Sequence, residues 1–580
     1  MPMLLLLFLL LSLVGLNDSS PPPQPVSCTN DTSDCTVTNA YGAFPDSSIC
    51  HAANVAYPST EQELVAAVAA AVAAKRKVKA STRYSHSIPK LVCPGGNDGT
   101  IISTVRLNRT VRIDAEKRLM TVESGMVVAD LIGVAGKAGW SLPHTPYWYG
   151  LTIGGVLATG AHGSSLWGKG GALHEYVVGL RIVTPAPPSQ GFAMVRELNA
   201  GHPDLDAAKV SLGVLGVISQ VTLALQPLFK RSVTFVDRDE SDLPAKVTVW
   251  GHLYEFGDIK WLPQERKVVY RKDDRVGVSS PGNGLRDSPI FRALPTSTIV
   301  AARAQAERLE KNGTDGERCE AQRQLAATDE MEAYGFTNNG VNFTGYPVVG
   351  LQHRMQASGS CIHSPEDGLQ TSCTWDPRIH GLFNYNSGFS VPLSMAAAFI
   401  ADVQRLRDLS PAAFCALYSS AGMYMRYVKA SSAYLGKPED AVDFDLIYFR
   451  SRTPGTPRVY ADVIDEVEQI ALRKYGGVPH WGKNRNSAFE GAIAKYPGAA
   501  KFLEVKNRYD PDGIFSSEWS DQVLGIKGSP SIVMKRCAID GLCICSDDSH
   551  CAPELGYFCR PGKVYKQARV CAFEGVTTSS

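Results

Sequence analysis

The sequence of 580 residues predicts an α+β protein built from several units. From about residue 50 to residue 230, short β-branched runs alternate with glycine turns and helical stretches. From about residue 231 to residue 475, amphipathic helical patterns are interrupted by strand candidates. Six cysteines then stand between residues 537 and 571. These shifts in pattern predict two large domains followed by a small cysteine-rich module.

The amino terminus carries a leader pattern. Leu4 to Leu16 is an apolar run of thirteen residues, which suits a signal peptide over residues 1–20 and is too short to span a bilayer of ~30 Å. No Lys or Arg precedes the run. Fourteen cysteines agree with an oxidising secretory route. Sequons for N-glycosylation occur at Asn30, Asn108, Asn312 and Asn342. We therefore expect a secreted glycoprotein of the cell wall or apoplast.

The charge balance limits the classes of partner that the sequence predicts. Lys and Arg number 58 against 57 Asp and Glu, and the formal net charge is +1. Because the two signs are interspersed, the sequence offers no basic surface for nucleic acid or an anionic membrane. No apolar tail follows Cys571, so we expect no lipid anchor at the C-terminus. We therefore expect small-molecule partners.

The first large unit begins with a helix and a strand. Thr60 to Glu63 reads as a capping box, residues to Ala74 form the helix, and Lys75 to Lys77 form its cationic end. A strand over residues 78–80 leads into a loop rich in hydroxyl groups. Its candidate cofactor-binding residues are Ser81, Thr82, Arg83, Tyr84, Ser85, His86 and Ser87. Further strands are expected near residues 100–105, 111–113, 120–122 and 217–225.

A second loop, over residues 150–165, holds five glycines and four hydroxyl residues around one histidine. Backbone N–H groups and hydroxyls can converge there on an anion such as a diphosphate. A glycine-rich turn between strands is the simpler alternative. The candidate residues are Thr152, Gly154, Gly155, Thr159, Gly160, His162, Gly163 and Ser164.

Two nucleotide motifs are excluded. Residues 163–170 have the glycine and lysine spacing of a P-loop, but Gly170 stands where a Ser or Thr must bind magnesium. The dinucleotide motif G-x-G-x-x-G does not occur in the sequence, which argues against a nicotinamide enzyme.

The sequence patterns of the second unit and of the tail are less specific for one structure or function. Helices are expected around residues 299–327 and 393–406, and a strand over residues 444–450. The six tail cysteines could ligate zinc in an intracellular protein. In a secreted chain they indicate three disulfides in one of fifteen pairings, so we expect no metal. A structural cap is favoured over an adhesion role for this module.

Four of these motifs carry a family resemblance. The helix, strand and loop around Ser85, then Glu123-Ser124-Gly125, then residues 151–163, then residues 213–218, resemble the FAD-binding domain of the vanillyl-alcohol oxidase superfamily. His480-Trp481-Gly482-Lys483 resembles the His-Trp-x-Lys motif of the aldonolactone oxidoreductase branch. The mature chain, tail included, is similar to the plant L-gulonolactone oxidase-like family.

The resemblance implies a fold and a cofactor. It implies a two-subdomain FAD-binding domain over residues 50–230, an α/β cap domain over the substrate at residues 231–475, and a segment 476–530 that returns to the flavin. Gly125 and Val217 join the cofactor-binding residues. His86 stands where several relatives attach FAD covalently, although a simple hydrogen bond is the alternative. A second link through cysteine is not expected, because none lies between Cys93 and Cys319.

The resemblance also implies an activity. Lys483 would stabilise negative charge on the reduced flavin, and His480 would hydrogen-bond substrate or flavin. Tyr424-Met425-Arg426 corresponds to a Glu-x-Arg pair, so Arg426 could stabilise a substrate oxygen, but Tyr424 supplies no carboxylate. Arg426 as a mere surface cation is the alternative. The expected reaction is oxidation of L-gulono-1,4-lactone at C2, with oxygen or another electron acceptor. Another FAD-dependent sugar or amine oxidase, or a catalytically weak glycoprotein, remain alternatives.

Overall fold

The computed structural model describes residues 26–37, 50–82, 89–148, 150–288, 292–356, 370–372, 384–416, 422–449, 451 and 453–575. Two sequence predictions lie outside these ranges. One is the leader over residues 1–20. The other is the Arg83, Tyr84, Ser85, His86 and Ser87 part of the first loop.

The first subdomain is a five-stranded sheet in the order β1-β2-β3-β5-β4. Its strands are β1 (Val26–Asn30), β2 (Ser33–Val37), β3 (Cys50–Ala56), β4 (Val78–Ser81) and β5 (Thr100–Ser103). The β5 strand runs parallel to both β3 and β4, and helix α1 (Glu61–Ala73) connects β3 to β4. Disulfides Cys28–Cys35 and Cys50–Cys93 stabilise this layer.

The start of α1 differs from the predicted capping box. The Thr60 hydroxyl accepts a hydrogen bond from the Glu63 N–H at 3.1 Å, as expected. The Glu63 carboxylate, however, accepts from the N–H of Ser59 at 2.7 Å rather than from Thr60. The reason is that the Ser59 hydroxyl also donates to this carboxylate, at 2.8 Å, so one residue supplies both donors.

The second subdomain is an antiparallel sheet in the order β10-β9-β11-β7-β6. Its strands, with the short pair β8 and β12, are β6 (Thr110–Asp114), β7 (Leu119–Glu123), β8 (Trp140–Ser141), β9 (Val177–Pro185), β10 (Ala193–Asn199), β11 (Val217–Ala224) and β12 (Gln226–Pro227). Helices α2 (Val128–Lys137), α3 (Ile153–Thr159) and α4 (Leu205–Ala208) accompany it. The glycine-rich stretch is therefore not a continuous loop, because its middle forms α3.

The cap is an eight-stranded antiparallel sheet in the order β19-β13-β15-β14-β22-β23-β21-β24. Its strands are β13 (Lys230–Asp239), β14 (Asp258–Leu262), β15 (Lys267–Val276), β19 (Val348–Leu351), β21 (Asn384–Pro392), β22 (Met423–Val428), β23 (Ala441–Phe449) and β24 (Val478–Pro479). Two short ribbons pair β16 (Leu285–Arg286) with β18 (Phe336–Thr337), and β17 (Leu294–Pro295) with β20 (Thr371–Ser372). The last strand of the sheet thus comes from the segment 476–530.

Helices cover one face of this sheet and extend beyond it. They are α5 (Leu243–Lys246), α6 (Trp250–Leu253), α7 (Thr296–Asn312), α8 (Asp315–Met331), α9 (Gln352–Met355), α10 (Ala396–Leu409) and α11 (Ala461–Gln469), which continues as a π-helical turn over Ile470–Lys474. The single helix expected around residues 299–327 is two helices. Gly313 ends the first, and Thr314 caps the second through a capping box with Glu317.

The two faces of the cap sheet differ in chemistry because side chains alternate along each strand. One face packs into an apolar core that includes Ile259, Trp261, Met423, Met425, Val442 and Phe444. The other face carries Asp258, Lys260, Tyr424, Arg426, Asp443 and Asp445 in laterally paired positions. The polar face contacts the stretch that follows α3, where the Ser165 N–H donates to the Tyr427 carbonyl at 2.8 Å.

One part of the C-terminal segment packs against the second subdomain, and the other part forms the cysteine-rich module. Helices α12 (Ala499–Tyr509) and α13 (Glu518–Val523) pack into the same core as β7, β9 and β11. The tail holds a hairpin of β25 (Tyr557–Pro561) and β26 (Arg569–Phe573). Its disulfides are Cys537–Cys543, Cys545–Cys559 and Cys551–Cys571, which leaves no tail sulfur as a zinc ligand. Among the described helices, none is both long and apolar enough to cross a bilayer.

Candidate active site

The two hydroxyl-bearing segments meet at the N-terminus of α3. The Gly154 N–H donates to the Ser124 carbonyl at 2.8 Å, which places the end of β7 beside α3. A methyl group on Gly155 would lie 3.3 Å from Thr152 Oγ1 and 3.5 Å from the methyl of Thr82. Thr82 directly follows β4 and the buried Ser81. The first predicted loop therefore begins where the second one forms its helix.

Several buried hydroxyls on the segments around α3 have no hydrogen-bond partner among the described residues. They are those of Ser124, Thr145 and Thr152, each at most 2% exposed. An unpaired buried polar group costs ~1–3 kcal/mol, so these hydroxyls are suited to a ligand that the protein is built to hold. Hydroxyls beside a helix N-terminus donate to an anion, which fits the diphosphate of FAD.

The glycines of this region serve the backbone as well as the ligand. A methyl group on Gly125 would lie 1.9 Å from the Thr104 carbonyl oxygen, so two main-chain segments approach closely there. Gly160 ends α3 with a φ of +64°, in the left-handed region. A methyl group on Gly163 would lie 2.7 Å from the Thr145 carbonyl oxygen. Sequence patterns cannot separate this role from ligand contact.

Two predicted cofactor residues have protein partners that account for their positions. The Thr159 hydroxyl donates to the Gly155 carbonyl at 3.0 Å, one turn back in α3. Val217 starts β11 opposite Val183 and is 1% exposed in an apolar cluster. Neither side chain is thereby shown to face a ligand, and both stay predictions.

His162 and Ser164 connect this domain to the cap. The His162 Nδ1–H donates to the Gly163 carbonyl at 2.9 Å, and Nε2 lies 3.4 Å from Asp443 Oδ2. Burial lowers the pKa of His162, against the opposing effect of Asp443. The Ser164 hydroxyl donates to the Gly257 carbonyl at 2.6 Å and accepts from the Tyr427 N–H at 2.9 Å. This loop is therefore fixed over the polar face of the cap sheet.

Arg426 lies on that polar face and is 9% exposed, so the surface-cation alternative is wrong. Its guanidinium donates to the His162 carbonyl at 3.2 Å and to Asp443 at 3.2 Å, and it forms a further ion pair with Asp445. Burial lowers the pKa of Arg426, but the carboxylates of Asp445 and Asp443 outweigh it and raise the pKa above its usual range. Arg426 is therefore a fixed cation beside the α3 loop.

Lys483 reaches the same carboxylate from the segment after β24. Its Nζ lies 2.5 Å from Asp445 Oδ1, and the two side chains are 18% and 17% exposed. Asp445 thus joins Arg426 and Lys483, which are 57 residues apart in the sequence. The partial exposure leaves this trio accessible to a small molecule.

His480 lies beside the trio as a neutral ring. Burial and the charges of Lys483 and Lys437 hold the pKa of His480 well below its usual range. Its Nδ1 accepts from the Gly482 N–H at 3.0 Å, so the neutral ring carries its proton on Nε2. His480 and His162 rings are 5.9 Å apart. His480 is consequently a donor, not a base.

The structure adds residues that sequence reasoning missed. Asp443 and Asp445 stand on β23, directly across from Arg426 and Tyr424. Tyr147 contacts Tyr424 edge to face at 6.4 Å and donates to Asp258 at 2.8 Å. Burial raises the pKa of Tyr424 to about 12, so its hydroxyl stays protonated. The alternation Asp443-Phe444-Asp445 is a sequence signal for two carboxylates on one face, although it does not reveal their partners.

The chain is similar to known proteins along most of its length. Three family models match the chain: FAD binding domain at residues 52–186, D-arabinono-1,4-lactone oxidase at residues 382–523, and L-gulonolactone oxidase 2-like, C-terminal domain, at residues 534–573. The chain is 54% identical to L-gulonolactone oxidase 2 of Arabidopsis thaliana over 97% of its own length and 96% of that protein. Identity to L-gulonolactone oxidase 5 of the same plant is 53%, over 98% and 97%.

The chain belongs to the plant L-gulonolactone oxidase family. Identity to the L-gulonolactone oxidase of Bos taurus is 22%, over 80% of this chain and 94% of that one. Among solved structures, a solvent-stable cholesterol oxidase superposes with a TM-score of 0.65 at 17% identity, over 87% of this chain and all of the other. That likeness concerns the fold alone. The family assignment makes this protein an FAD-dependent oxidoreductase, which confirms the predicted cofactor and enzyme class.

Proposed function

We propose that this protein oxidises an aldonolactone such as L-gulono-1,4-lactone at C2. The observation that carries the proposal is the convergence of Arg426 and Lys483 on Asp445 at the polar face of the cap sheet. Two cations and one carboxylate match an alcohol that must lose a proton from oxygen while its carbon loses a hydride. The names of the relatives supply the substrate class.

Each residue has a separate task in this proposal. FAD, held by Ser124, Thr152 and the start of α3, supplies the hydride acceptor when bound. Arg426 stabilises the negative charge that develops on the C2 oxygen, and Lys483 would stabilise the negative charge of the reduced flavin, in a partly buried site where fixed charges act strongly. Asp445 accepts the hydroxyl proton and orients both cations. His480 donates from Nε2, which helps to hold the substrate.

Asp445 also supplies a carboxylate where this chain lacks the Glu of the Glu-x-Arg motif. Tyr424 stands where that Glu is expected, and Asp445 is its register partner on β23. Arg426 therefore keeps a carboxylate within its reach, supplied by the neighbouring strand. The oxidation product is a 2-keto lactone, which enolises to L-ascorbate when the substrate is L-gulono-1,4-lactone. Oxygen or another acceptor then takes the two electrons.

The test is anaerobic reduction of the purified yellow protein. We expect L-gulono-1,4-lactone to bleach the flavin absorbance and γ-butyrolactone, which lacks a C2 hydroxyl, to leave it unchanged. Lys483→Met should slow bleaching, whereas the matched change of the exposed Lys501→Met should not. A flavin that no aldonolactone bleaches, but that another sugar or an amine does, assigns the protein to a different substrate class. A flavin reduced only by dithionite favours the catalytically weak alternative.

Secretion and glycosylation belong to the same proposal. Support comes from the apolar leader, from the disulfides, and from the exposure of Asn30, Asn108, Asn312 and Asn342. Glycan removal by endoglycosidase should lower the mass of protein recovered from the apoplast. Unmodified protein recovered only from inside the cell would contradict this part of the proposal.

A further inference from the structure

The cysteine-rich module contacts the body of the protein at α11. Glu466, which is 1% exposed, accepts from the N–H groups of Lys563, Val564 and Tyr565 at 2.7, 2.7 and 2.8 Å. Gln469 donates to the Arg569 carbonyl at 2.9 Å and accepts from its N–H at 3.0 Å. The module is therefore docked through buried, specific hydrogen bonds and does not hang from a linker.

A second contact is made by the loop that the Cys537–Cys543 disulfide closes. Asp540 accepts from the Gly455 N–H at 2.7 Å, and the Gly541 carbonyl accepts from the Ser487 N–H at 3.0 Å. Gly541 has a φ of +69°, and a methyl group there would lie 2.4 Å from Arg485 Cδ. The loop thus presses its main chain against Arg485, two residues after Lys483.

Arg485 links this contact to the strand that supports the active site. It is 5% exposed and donates to Asp465 at 2.6 Å and to Glu468 at 2.7 Å. The other oxygen of Glu468 accepts from the Ser387 hydroxyl. The Arg485 guanidinium also lies 4.6 Å from the centre of the Tyr385 ring, on β21. Arg485 consequently fixes α11 and β21 relative to each other.

The same part of β21 holds the segment that carries His480 and Lys483. The Gly388 carbonyl accepts from the His480 N–H and from the Asn484 side chain, both at 2.8 Å. The Gly388 N–H donates to Asn484 Oδ1 at 3.0 Å. Gly388 also lies against the Lys483 side chain, since a methyl group there would be 2.9 Å from Lys483 Cδ. Displacement of residues 385–388 would therefore move Lys483.

We infer that the cysteine-rich module is a positioning element for the active site, which acts through Gly541 and Arg485 on the segment of residues 480–484. The roles of Lys483 and His480 in this inference rest on the proposed function. Among the described residues, no hydrogen bond or ion pair joins the module to Lys483 or His480. Its expected effect is on the placement of the cation at Asp445, and hence on the chemical step more than on substrate binding.

The experiment compares two glycine variants of the full-length protein. Gly541→Ala adds a methyl group against Arg485. The matched control Gly556→Ala has the same kind of positive φ, +81°, but its methyl group would meet Gly575 within the module. Disulfide content by mass spectrometry shows that each module has formed. A third variant, Asp540→Ala, removes the hydrogen bonds that the same loop accepts from the Gly455 N–H and the Tyr385 hydroxyl, without adding bulk.

The readouts are hydrogen exchange, kinetics and the flavin reduction potential. In Gly541→Ala and Asp540→Ala we expect faster amide exchange at residues 480–484, a kcat about tenfold lower, a KM changed less than about twofold, and a more negative potential. Gly556→Ala should match the unmodified protein. Unchanged exchange and potential in Gly541→Ala, with its disulfides intact, overturns the inference. If no lactone is oxidised by any form, the proposed function fails, and exchange at residues 480–484 still decides the positioning role.

Discussion

Replacement of Asp445 by Asn tests the proton transfer in the proposed reaction. The substitution removes one negative charge that lies 2.5 Å from Lys483 Nζ and pairs with Arg426. Both Asp445 and Lys483 are nearly one-fifth exposed, so water screens part of the attraction. Arg426 keeps Asp443 as a partner. We therefore expect a modest loss of unfolding free energy, about 1–2 kcal/mol.

The expected effect on the rate is larger than the effect on stability. Loss of a positioned proton acceptor typically lowers a rate by ~10²–10⁴. Such a factor corresponds to about 3–5 kcal/mol in the activation barrier. The variant should consequently remain folded and bind FAD while it turns over slowly.

Stopped-flow reduction by L-gulono-1,4-lactone measures the rate, and unfolding in urea measures the stability. The matched control is Asp408→Asn, which removes a carboxylate from an exposed ion pair with Arg266. The control should keep the rate of the unmodified enzyme. If Asp445→Asn reduces its flavin within about threefold of the normal rate, then Asp445 is not the proton acceptor.

Three further predictions concern other parts of the molecule. Burial lowers the pKa of His144 from 6.5 to about 3. Protonation of the unfolded chain below pH 6.5 therefore costs stability, and His144→Phe, beside Phe256, should remove ~2 kcal/mol of the loss in urea-unfolding free energy between pH 7 and pH 5. An equal loss in both forms would contradict this reasoning. Lys483→Met should lower kcat by ~10²–10³ and Lys483→Arg by less, measured by dye reduction. If FAD is attached through His86, acid-precipitated protein stays yellow and precipitated His86→Ala becomes colourless; a colourless precipitate from the unmodified protein rules out the link.

The features that sequence reasoning predicted depend on residues within short, contiguous segments. The helix α1 is marked by Thr60 at its start and by an alanine-rich run, and both act within one turn or along one helix. The glycine and hydroxyl content of residues 150–165 likewise predicts an anion-binding segment, which stays a prediction. The helix α3 inside it was missed because Gly154 and Gly155 lower intrinsic helix propensity. Tertiary contacts with Ser124 and Met126 outweigh that preference.

The features that sequence reasoning could not identify depend on pairing between distant segments. Nothing in the local pattern of Asp443-Phe444-Asp445 indicates that Arg426 lies opposite, because the register of β22 with β23 is set by the whole sheet. Lys483 reaches the same point from a third segment. The contact of the cysteine-rich module with Arg485 is likewise absent from any local pattern, because Gly541 and Arg485 are 56 residues apart in the sequence.

The case of Tyr424 shows why position in space decides the chemistry. Read along the chain, Tyr424 replaces a carboxylate two residues before Arg426, which suggests a weakened site. Read across the sheet, Asp445 faces Tyr424, and its carboxylate reaches both Arg426 and Lys483. A carboxylate on β22 in addition to Asp445 would place two like charges opposite each other, which is destabilising. Tyr424 therefore fits the presence of Asp445, because its neutral hydroxyl leaves that carboxylate free to pair with both cations.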